Sequence, residues 1–147
     1  MLRMFDGYEP RHIELHGDMT TDDKGKVNGK PKTVKSALTE AQVARHIEGG
    51  LPVGIAPVKS DSTCVWGVLD VDWYDMPEDE VMALSERLRT RCAAFRTKSR
   101  GLHIIVFMDE PIPAKQMYQY LVALRKRLPK KIAALTEIFP KETQTHI

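Results

Sequence analysis

The chain has 147 residues, of which 29% are charged, and a formal net charge of +2. This length suits one domain with a real hydrophobic core, and the nearly balanced charge gives no whole-protein signature of a nucleic-acid binder. Two cysteines match neither a disulfide framework nor a metal-ligand spacing, and no apolar stretch is long enough for a membrane span or a signal peptide. We therefore expect a cytoplasmic protein that works without a membrane.

The first part of the chain, residues 1–59, is predicted to form a small α/β lobe. Residues 17–35 are polar and rich in turn formers, which favours a loose hairpin that turns at residues 23–25 or at residues 28–29. A short helix follows, with Thr39 and Gln42 in capping-box spacing and two glycines at its end. Residues 51–58 contain prolines, which is typical of an edge strand.

Residues 60–147 are predicted to form a core like that of RNA-recognition folds. Periodicity and turn signals predict a strand at 64–73 and then a helix from an Asp75–Glu78 capping box to about 91. Two strands follow at 93–98 and 102–108. After a break at Pro111 and Pro113 we expect a helix at 114–128 and a last strand at 134–139. The order β-α-β-β-α-β defines an α+β fold whose mostly antiparallel sheet has both helices on one face. The other face is expected to be free for a ligand.

Two aspartates in the first core strand form the most informative motif. Asp70 and Asp72 are two residues apart in an apolar, β-branched run, so a strand places both carboxylates on one face while Val65, Leu69 and Val71 are buried. Such a like-charge pair is destabilising unless a proton or a cation neutralises it. The spacing therefore predicts a Mg²⁺ site of one or two carboxylates plus substrate phosphates. In the alternative, the strand ends near Asp70 and Asp72 lies in a solvated turn.

A basic turn and a third acid are predicted to face this pair. The turn at residues 98–101 offers two cations, the Ser99 hydroxyl and a glycine that admits backbone N–H groups to a phosphate, and His103 begins the next strand. Glu137 lies on the last strand, at the other side of the aspartate strand. Alone, His103 is typical of a satisfied structural histidine and Glu137 of a strand-end carboxylate. Together they favour phosphoryl transfer, which needs positioning and charge neutralisation around two divalent ions.

Three segments resemble the motifs of the archaeo-eukaryotic primase superfamily, and within it the primase-polymerases of phages, mobile elements and TOTE conflict systems. They are residues 68–72 (Val-Leu-Asp-Val-Asp), 99–103 (Ser-Arg-Gly-Leu-His) and 136–141 (Thr-Glu-Ile-Phe-Pro-Lys). The resemblance implies a DNA primase-polymerase in phage or mobile-element replication, acting in the cytoplasm of a bacterial host. It implies two Mg²⁺ or Mn²⁺ ions, nucleoside triphosphate substrates, a single-stranded DNA template with its primer, and a replicative helicase as partner.

The same resemblance assigns roles to individual residues. It implies that Asp70, Asp72 and Glu137 bind the metal ions and that His103 is catalytic with them. It further implies that the incoming nucleotide contacts a mainly basic set, namely Arg96, Lys98, Ser99, His103 and Lys141.

Two departures from the family pattern bear on activity. The residue two positions before His103 is Gly101, so a hydroxyl in that role has to come from Ser99. The sequence also stops at Ile147, soon after the third motif, whereas family members continue with further strands and helices. We therefore expect a catalytic core that binds nucleotide and template weakly by itself, with the basic segments at 87–100 and 125–131 and the N-terminal lobe holding the template.

Other function classes stay open at this point. Tyr118 and Tyr120 suggest a replication-initiator or relaxase nuclease, although that class needs a second metal-binding histidine where Ile105 stands. A non-catalytic single-stranded nucleic-acid-binding module needs exposed aromatic side chains on the sheet. A nucleotide cyclase-like palm shares the metal carboxylates, but the turn at residues 98–101 does not resemble its hairpin.

Overall fold

The computed structural model describes residues 5–7, 11–88 and 92–141. Its elements are β1 (His12–Thr21), β2 (Val27–Val34), α1 (Glu40–Ile47), β3 (Val53–Gly54), β4 (Thr63–Val71), α2 (Glu78–Leu88), β5 (Cys92–Arg96), β6 (Leu102–Pro113), α3 (Ala114–Arg125), α4 (Lys130–Ala134) and β7 (Thr136–Phe139). They form two antiparallel sheets, β2-β1-β3 and β5-β6-β4-β7, which confirms the predicted α+β fold. Within the described ranges, no helix is both long and apolar enough to cross a membrane.

The N-terminal sheet is built on a hairpin, as predicted. Strand β1 pairs with β2, and Asp22 closes the turn because its Oδ1 accepts the backbone N–H groups of Lys24 at 3.0 Å and Lys26 at 2.9 Å. The turn therefore lies at the first of the two expected places, while Asn28 pairs with Thr20 inside the ladder. Strand β3 is the other edge of this sheet, as expected for a segment flanked by Pro52 and Pro57.

Helix α1 begins with the predicted capping box. The Thr39 hydroxyl accepts the backbone N–H of Gln42 at 3.3 Å, and the Gln42 side chain accepts the backbone N–H of Thr39 at 2.9 Å. Two otherwise unpaired N–H groups of the first turn are satisfied in this way.

The second sheet carries the main core on the face that α2 and α3 cover. Alternation along the central strand β4 turns Leu69 and Val71 to this face, where both are fully buried with Ile104 of β6. Helix α3 adds Met117 and Leu121, also fully buried. Each such side chain stabilises the fold by about 1.5–3 kcal/mol relative to an exposed one. The helix–sheet layer is therefore the part of the chain that holds the second sheet in place.

Several predicted boundaries in the core are wrong, among them the end of β5, which is Arg96 rather than residue 98, and the end of α3, which is Arg125 rather than residue 128. Strand β4 ends at Val71 rather than at residue 73. Strand β6 continues through Pro113 rather than ending at residue 108, because its last residues pair with Thr63 and Cys64 of β4 after its pairing with β5 has ended. The short helix α4 occupies positions 130–134, so the last strand begins only at Thr136. The Asp75–Glu78 capping box is also absent, since Asp75 has a left-handed φ of 64° and α2 begins at Glu78. The predicted end of α2 at about residue 91 lies outside the described residues.

The prediction for Val65 fails because of a strand irregularity. The register between β4 and β6 shifts between Cys64 and Trp66. Cys64 therefore packs into the helix-side core, while Val65 joins a second cluster that is centred on Trp66, Val68 and Ile105. Val65 is thus not a partner of Leu69 and Val71.

The face opposite the helices is closed at one end and open at the other. Phe5 packs edge-on against Trp66 and Phe107, with ring centroids 5.5 and 5.3 Å apart, and the Trp66 indole donates to the Asp6 carbonyl at 3.0 Å. The expected free face is therefore free only at the end where β4 finishes, beyond this aromatic cluster.

Gly67 tests the packing of α3 on the sheet. A Cβ at Gly67 would lie 2.8 Å from both Leu121 Cδ1 and Met117 Cγ, and both of these side chains are fully buried. We expect Gly67→Ala to lower the free energy of unfolding by about 1–3 kcal/mol, measured by urea denaturation. Gly54→Ala is the matched strand control, because its Cβ would meet Ile13 at an ordinary 3.7 Å. Equal effects of the two substitutions would contradict this account of the core.

Candidate functional site

The open end of the sheet face presents four side chains in one row across four strands. Phe95 of β5 pairs with His103 of β6, His103 pairs with Asp70 of β4, and Asp70 pairs with Glu137 of β7. Directly paired residues lie on the same face, with Cβ atoms about 4.5–5.5 Å apart. We call this set the Asp70 row. The predicted neighbourhood of Asp70, His103 and Glu137 is therefore present in the register of the sheet.

Each acid of the Asp70 row lies beside a basic group. His103 Nε2 is 3.3 Å from Asp70 Oδ1, and Lys141 Nζ is 3.2 Å from Glu137 Oε2. Both pairs are partly open to solvent, with 29% of the Asp70 side chain and 53% of the Glu137 side chain exposed. These contacts reduce the repulsion that two facing carboxylates would otherwise suffer, and they leave the oxygens accessible to a ligand.

Asp72 is held by a residue that sequence reasoning missed. It follows directly after β4, where its backbone N–H donates to the Leu135 carbonyl at 2.8 Å, and its Oδ1 accepts the Tyr74 hydroxyl at 2.7 Å. Burial raises the pKa of the Tyr74 phenol first, and the hydrogen bond to Asp72 and the negative charges of Asp72 and Asp70 raise it further. Asp72 is therefore neither a strand residue nor a freely solvated one.

Tyr74 also joins three segments around this site. A Cβ at Gly25, in the β1–β2 turn, would meet Tyr74 Cβ at 3.5 Å, and a Cβ at Gly101 would meet its ring at 3.7 Å. Nothing in the local sequence signals these contacts, because both come from segments far from residue 74 in the chain. The position of Phe95 could have been predicted from the sequence, because counting back from His103 across the tight turn places Phe95 opposite His103 in the hairpin.

The turn between β5 and β6 is built differently from the prediction. Thr97 donates its backbone N–H to Gly101 O at 3.1 Å and accepts from Arg100 N at 2.9 Å. A Cβ at Gly101 would lie 2.6 Å from the Val71 carbonyl, so this glycine permits close packing on the end of β4. Ser99 is buried in the turn, whereas Lys98 is exposed.

Arg96 is directed away from the Asp70 row. It pairs with Leu102, whose side chain lies in the helix-side core, and its guanidinium donates to the carbonyls of Arg100 and Met76 at 2.8 Å and to Glu78 at 3.0 Å. Arg96 thus ties the turn to the start of α2. Five residues were assigned to the nucleotide, and the structure brings two of them, His103 and Lys141, to the row. Lys98 is exposed in the turn before β6, Ser99 is buried in that turn, and Arg96 bonds to the turn and to the start of α2.

The carboxylates of this site are the oxygen donors that Mg²⁺ and Mn²⁺ take. Asp70 and Glu137 face each other, and Asp72 follows two residues after Asp70. Among residues 5–7, 11–88 and 92–141, however, no three His, Cys, Asp or Glu side chains converge into a ready-made metal cage. The donor set fits an ion that one or two carboxylates hold and that completes its coordination with water and phosphate oxygens.

A β-α-β-β-α-β sheet with a histidine–acid–acid row on its open face fits a primase-like nucleotidyltransferase core. The model of one protein family, the TOTE conflict system archaeo-eukaryotic primase domain, matches residues 4–146. The chain belongs to this family. A search of the curated proteins found no match for the chain.

Tyr74 supplies a pH-dependent test of the site. Because its pKa is raised in the folded protein, its bond to Asp72 stabilises the fold below the ordinary tyrosine pKa of about 10, and this stabilisation is lost as the pH rises through the higher folded value. We expect folded wild type and Tyr74→Phe to show equal phenolate absorbance near pH 10. In urea at the same pH, where an ordinary tyrosine is about half ionised, the two proteins should differ by the phenolate absorbance of about half a tyrosine. The same difference already in the folded proteins would contradict the partly buried phenol–carboxylate bond.

Proposed function

We propose that this chain is the nucleotidyl-transfer core of a DNA primase-polymerase, which joins nucleoside triphosphates on a single-stranded template and releases pyrophosphate. The observation that supports this most is the pairing of Asp70 with His103 on one side and Glu137 on the other, at the open end of the sheet. Phosphoryl transfer needs positioned charges more than covalent chemistry, so such a rigid row is suited to it.

We assign the acids to divalent metal and the basic groups to phosphate. Asp70, Asp72 and Glu137 would hold two Mg²⁺ or Mn²⁺ ions, which when bound neutralise the triphosphate and activate the primer hydroxyl. Tyr74 keeps Asp72 oriented through its 2.7 Å hydrogen bond. His103, 3.3 Å from Asp70, is placed to donate its Nε2–H to a phosphate oxygen beside that carboxylate. Lys98 and Lys141 extend the positive charge on either side of the Asp70 row.

Arg96 and Ser99 receive a different role in this proposal. The three hydrogen bonds of the Arg96 guanidinium and the burial of Ser99 support a role in shaping the turn before His103, rather than direct contact with the nucleotide. Both residues would then act through the position of His103 and Lys98.

The structure weighs against a Tyr-dependent nuclease. Tyr118 and Tyr120 lie on α3 and pack toward the helix-side core, on the face opposite His103. Ile105 is buried under the Phe5 cluster, so the position that this class needs for a second histidine is enclosed. A binding-only module retains one favourable observation, since the Phe95 ring at the end of the Asp70 row is 51% exposed and could stack on a base.

The cellular setting is part of the proposal. Both cysteines are free thiols, in accord with a reducing cytoplasm. We infer a role in phage or mobile-element replication beside a replicative helicase, because template-directed synthesis requires strands that have already been opened.

Primer extension tests the assignment of the acids. We expect Asp70→Asn and Glu137→Gln to lower Mn²⁺-dependent extension of a primed single-stranded template by at least about 10²-fold, because each removes a charge from the site of transfer. Thermal unfolding should show no loss of stability in Asp70→Asn, since a facing-carboxylate repulsion is relieved. Glu86→Gln, an exposed acid on α2, is the control. Full activity of Asp70→Asn would refute the proposal.

Calorimetric titration with nucleotides tests the basic groups. His103→Gln and Lys98→Ala should each weaken the binding of a nucleoside triphosphate with Mg²⁺ by roughly tenfold, or about 1.4 kcal/mol. The loss should be smaller for a nucleoside monophosphate, which has fewer charges for these groups to contact. An equal loss of affinity for both ligands would indicate that these residues contact the base or the sugar rather than the phosphates.

A further inference from the structure

An exposed aromatic ring lies at the β5 end of the Asp70 row. Phe95 is 51% exposed, whereas every other Phe, Tyr or Trp within residues 5–7, 11–88 and 92–141 is buried or half-buried. At the closed end of the same face, Phe5, Trp66 and Phe107 pack against one another. The sheet thus leaves one apolar ring in water, where its burial against the fold would be stabilising. This placement points to a role outside the core.

The edge position of β5 leaves one side of the Phe95 ring uncovered. In the second sheet β5 is the outer strand, and the residue paired directly with Phe95 is His103 of β6. Ala93, the nearest residue of β5 on the same face, carries only a methyl group. The ring is therefore flanked by His103 on one side and by no described strand on the other, so a flat ligand can approach it beside the row.

The polarity of the Asp70 row changes from one end to the other. Phe95 is apolar, His103 follows on β6, and the acids Asp70 and Glu137 follow on β4 and β7, with Lys141 beside Glu137. Neighbouring strands are about 4.8 Å apart, so Phe95 lies about 10 Å from Asp70 and about 14 Å from Glu137. A nucleoside triphosphate has the same order: a flat base, a sugar and then charged phosphates. The row therefore matches a nucleotide in its order of apolar and charged groups.

We propose that Phe95 stacks on the base of the incoming nucleotide and in this way distinguishes nucleotides from other polyphosphates. An aromatic side chain stacks on any nucleobase, because every base has a π face. This inference rests on the proposed function, since it requires the phosphates to lie at the carboxylate end of the row. A protein partner fits less well, because one ring beside charged groups is far smaller than the roughly 800 Å² that each partner buries in a stable interface.

Titration calorimetry with Mg²⁺ tests this role by comparing dATP with inorganic tripolyphosphate, which has the phosphates but no base. We expect Phe95→Ile to weaken dATP binding by about five- to tenfold, because isoleucine keeps the β-branched bulk that suits a strand but has no ring for stacking. The affinity for tripolyphosphate should not change. Phe95→Tyr keeps the ring and should bind dATP within about twofold of wild type.

The size of the base provides a second measurement. A purine covers more of the Phe95 ring than a pyrimidine does, so wild type should bind dATP more tightly than dCTP, and Phe95→Ile should remove most of this difference. Both nucleotides carry the same phosphates, so a distorted phosphate site would not produce this result. Met82→Ala is the control, because it removes another exposed apolar side chain, 58% exposed on α2, and should leave all affinities unchanged. Thermal unfolding checks that each variant is folded.

The results that would overturn the inference differ in what they mean for the proposed function. Equal weakening of dATP and tripolyphosphate in Phe95→Ile would show that Phe95 only shapes the phosphate site. Unchanged dATP affinity would remove the base from Phe95, and weaker binding of a single-stranded oligonucleotide by the same variant would then assign the ring to a base of the strand. Both results leave the proposed nucleotidyl transfer standing. Failure of wild type to bind dATP or tripolyphosphate would refute the stacking role and the phosphate site together.

Discussion

The central strand β4 has to satisfy two different environments, and the rest of the structure is arranged around that requirement. Its helix-side residues Leu69 and Val71 are fully buried, while Asp70 between them faces the opposite side with a charged group. A carboxylate can remain ionised there only if water, a basic partner or a ligand reaches it. The sheet therefore has to stay open at this end, although the aromatic cluster around Phe5 and Trp66 closes the other.

The segments around the open end are held by close backbone approaches rather than by large apolar contacts. Gly101 lies where a Cβ would reach within 2.6 Å of the Val71 carbonyl, and Tyr74 packs between the Gly25 and Gly101 turns. Its hydroxyl then fixes Asp72. Side chains that must present charge in a defined direction need such support, because a loop alone leaves them many conformations.

Membership in the TOTE archaeo-eukaryotic primase family agrees with this arrangement, but the sheet alone does not define the chemistry. Other proteins use the same split βαβ sheet to bind nucleic acid through aromatic side chains. Here histidine and two acids occupy three neighbouring positions on β6, β4 and β7, with Phe95 as the aromatic end of the Asp70 row. The charged positions of the Asp70 row, rather than the flanking aromatic ring, distinguish this site from a sheet that binds nucleic acid through stacking alone.

The amino-acid sequence by itself determined the order of elements apart from α4, the hairpin, the capping box of α1 and the facing of Asp70, His103 and Glu137. These features depend on periodicity, turn chemistry and strand pairing, which are local or follow from one topology. Other features were decided only by the tertiary structure: the end of β4 at Val71, the displacement of Val65 by a strand irregularity, the hold of Tyr74 on Asp72 and the diversion of Arg96 to α2. Three of these features depend on contacts between segments distant in the chain. The Tyr74–Asp72 bond is local, but it depends on the packing of Tyr74 beside the distant Gly25 and Gly101, which no local pattern encodes.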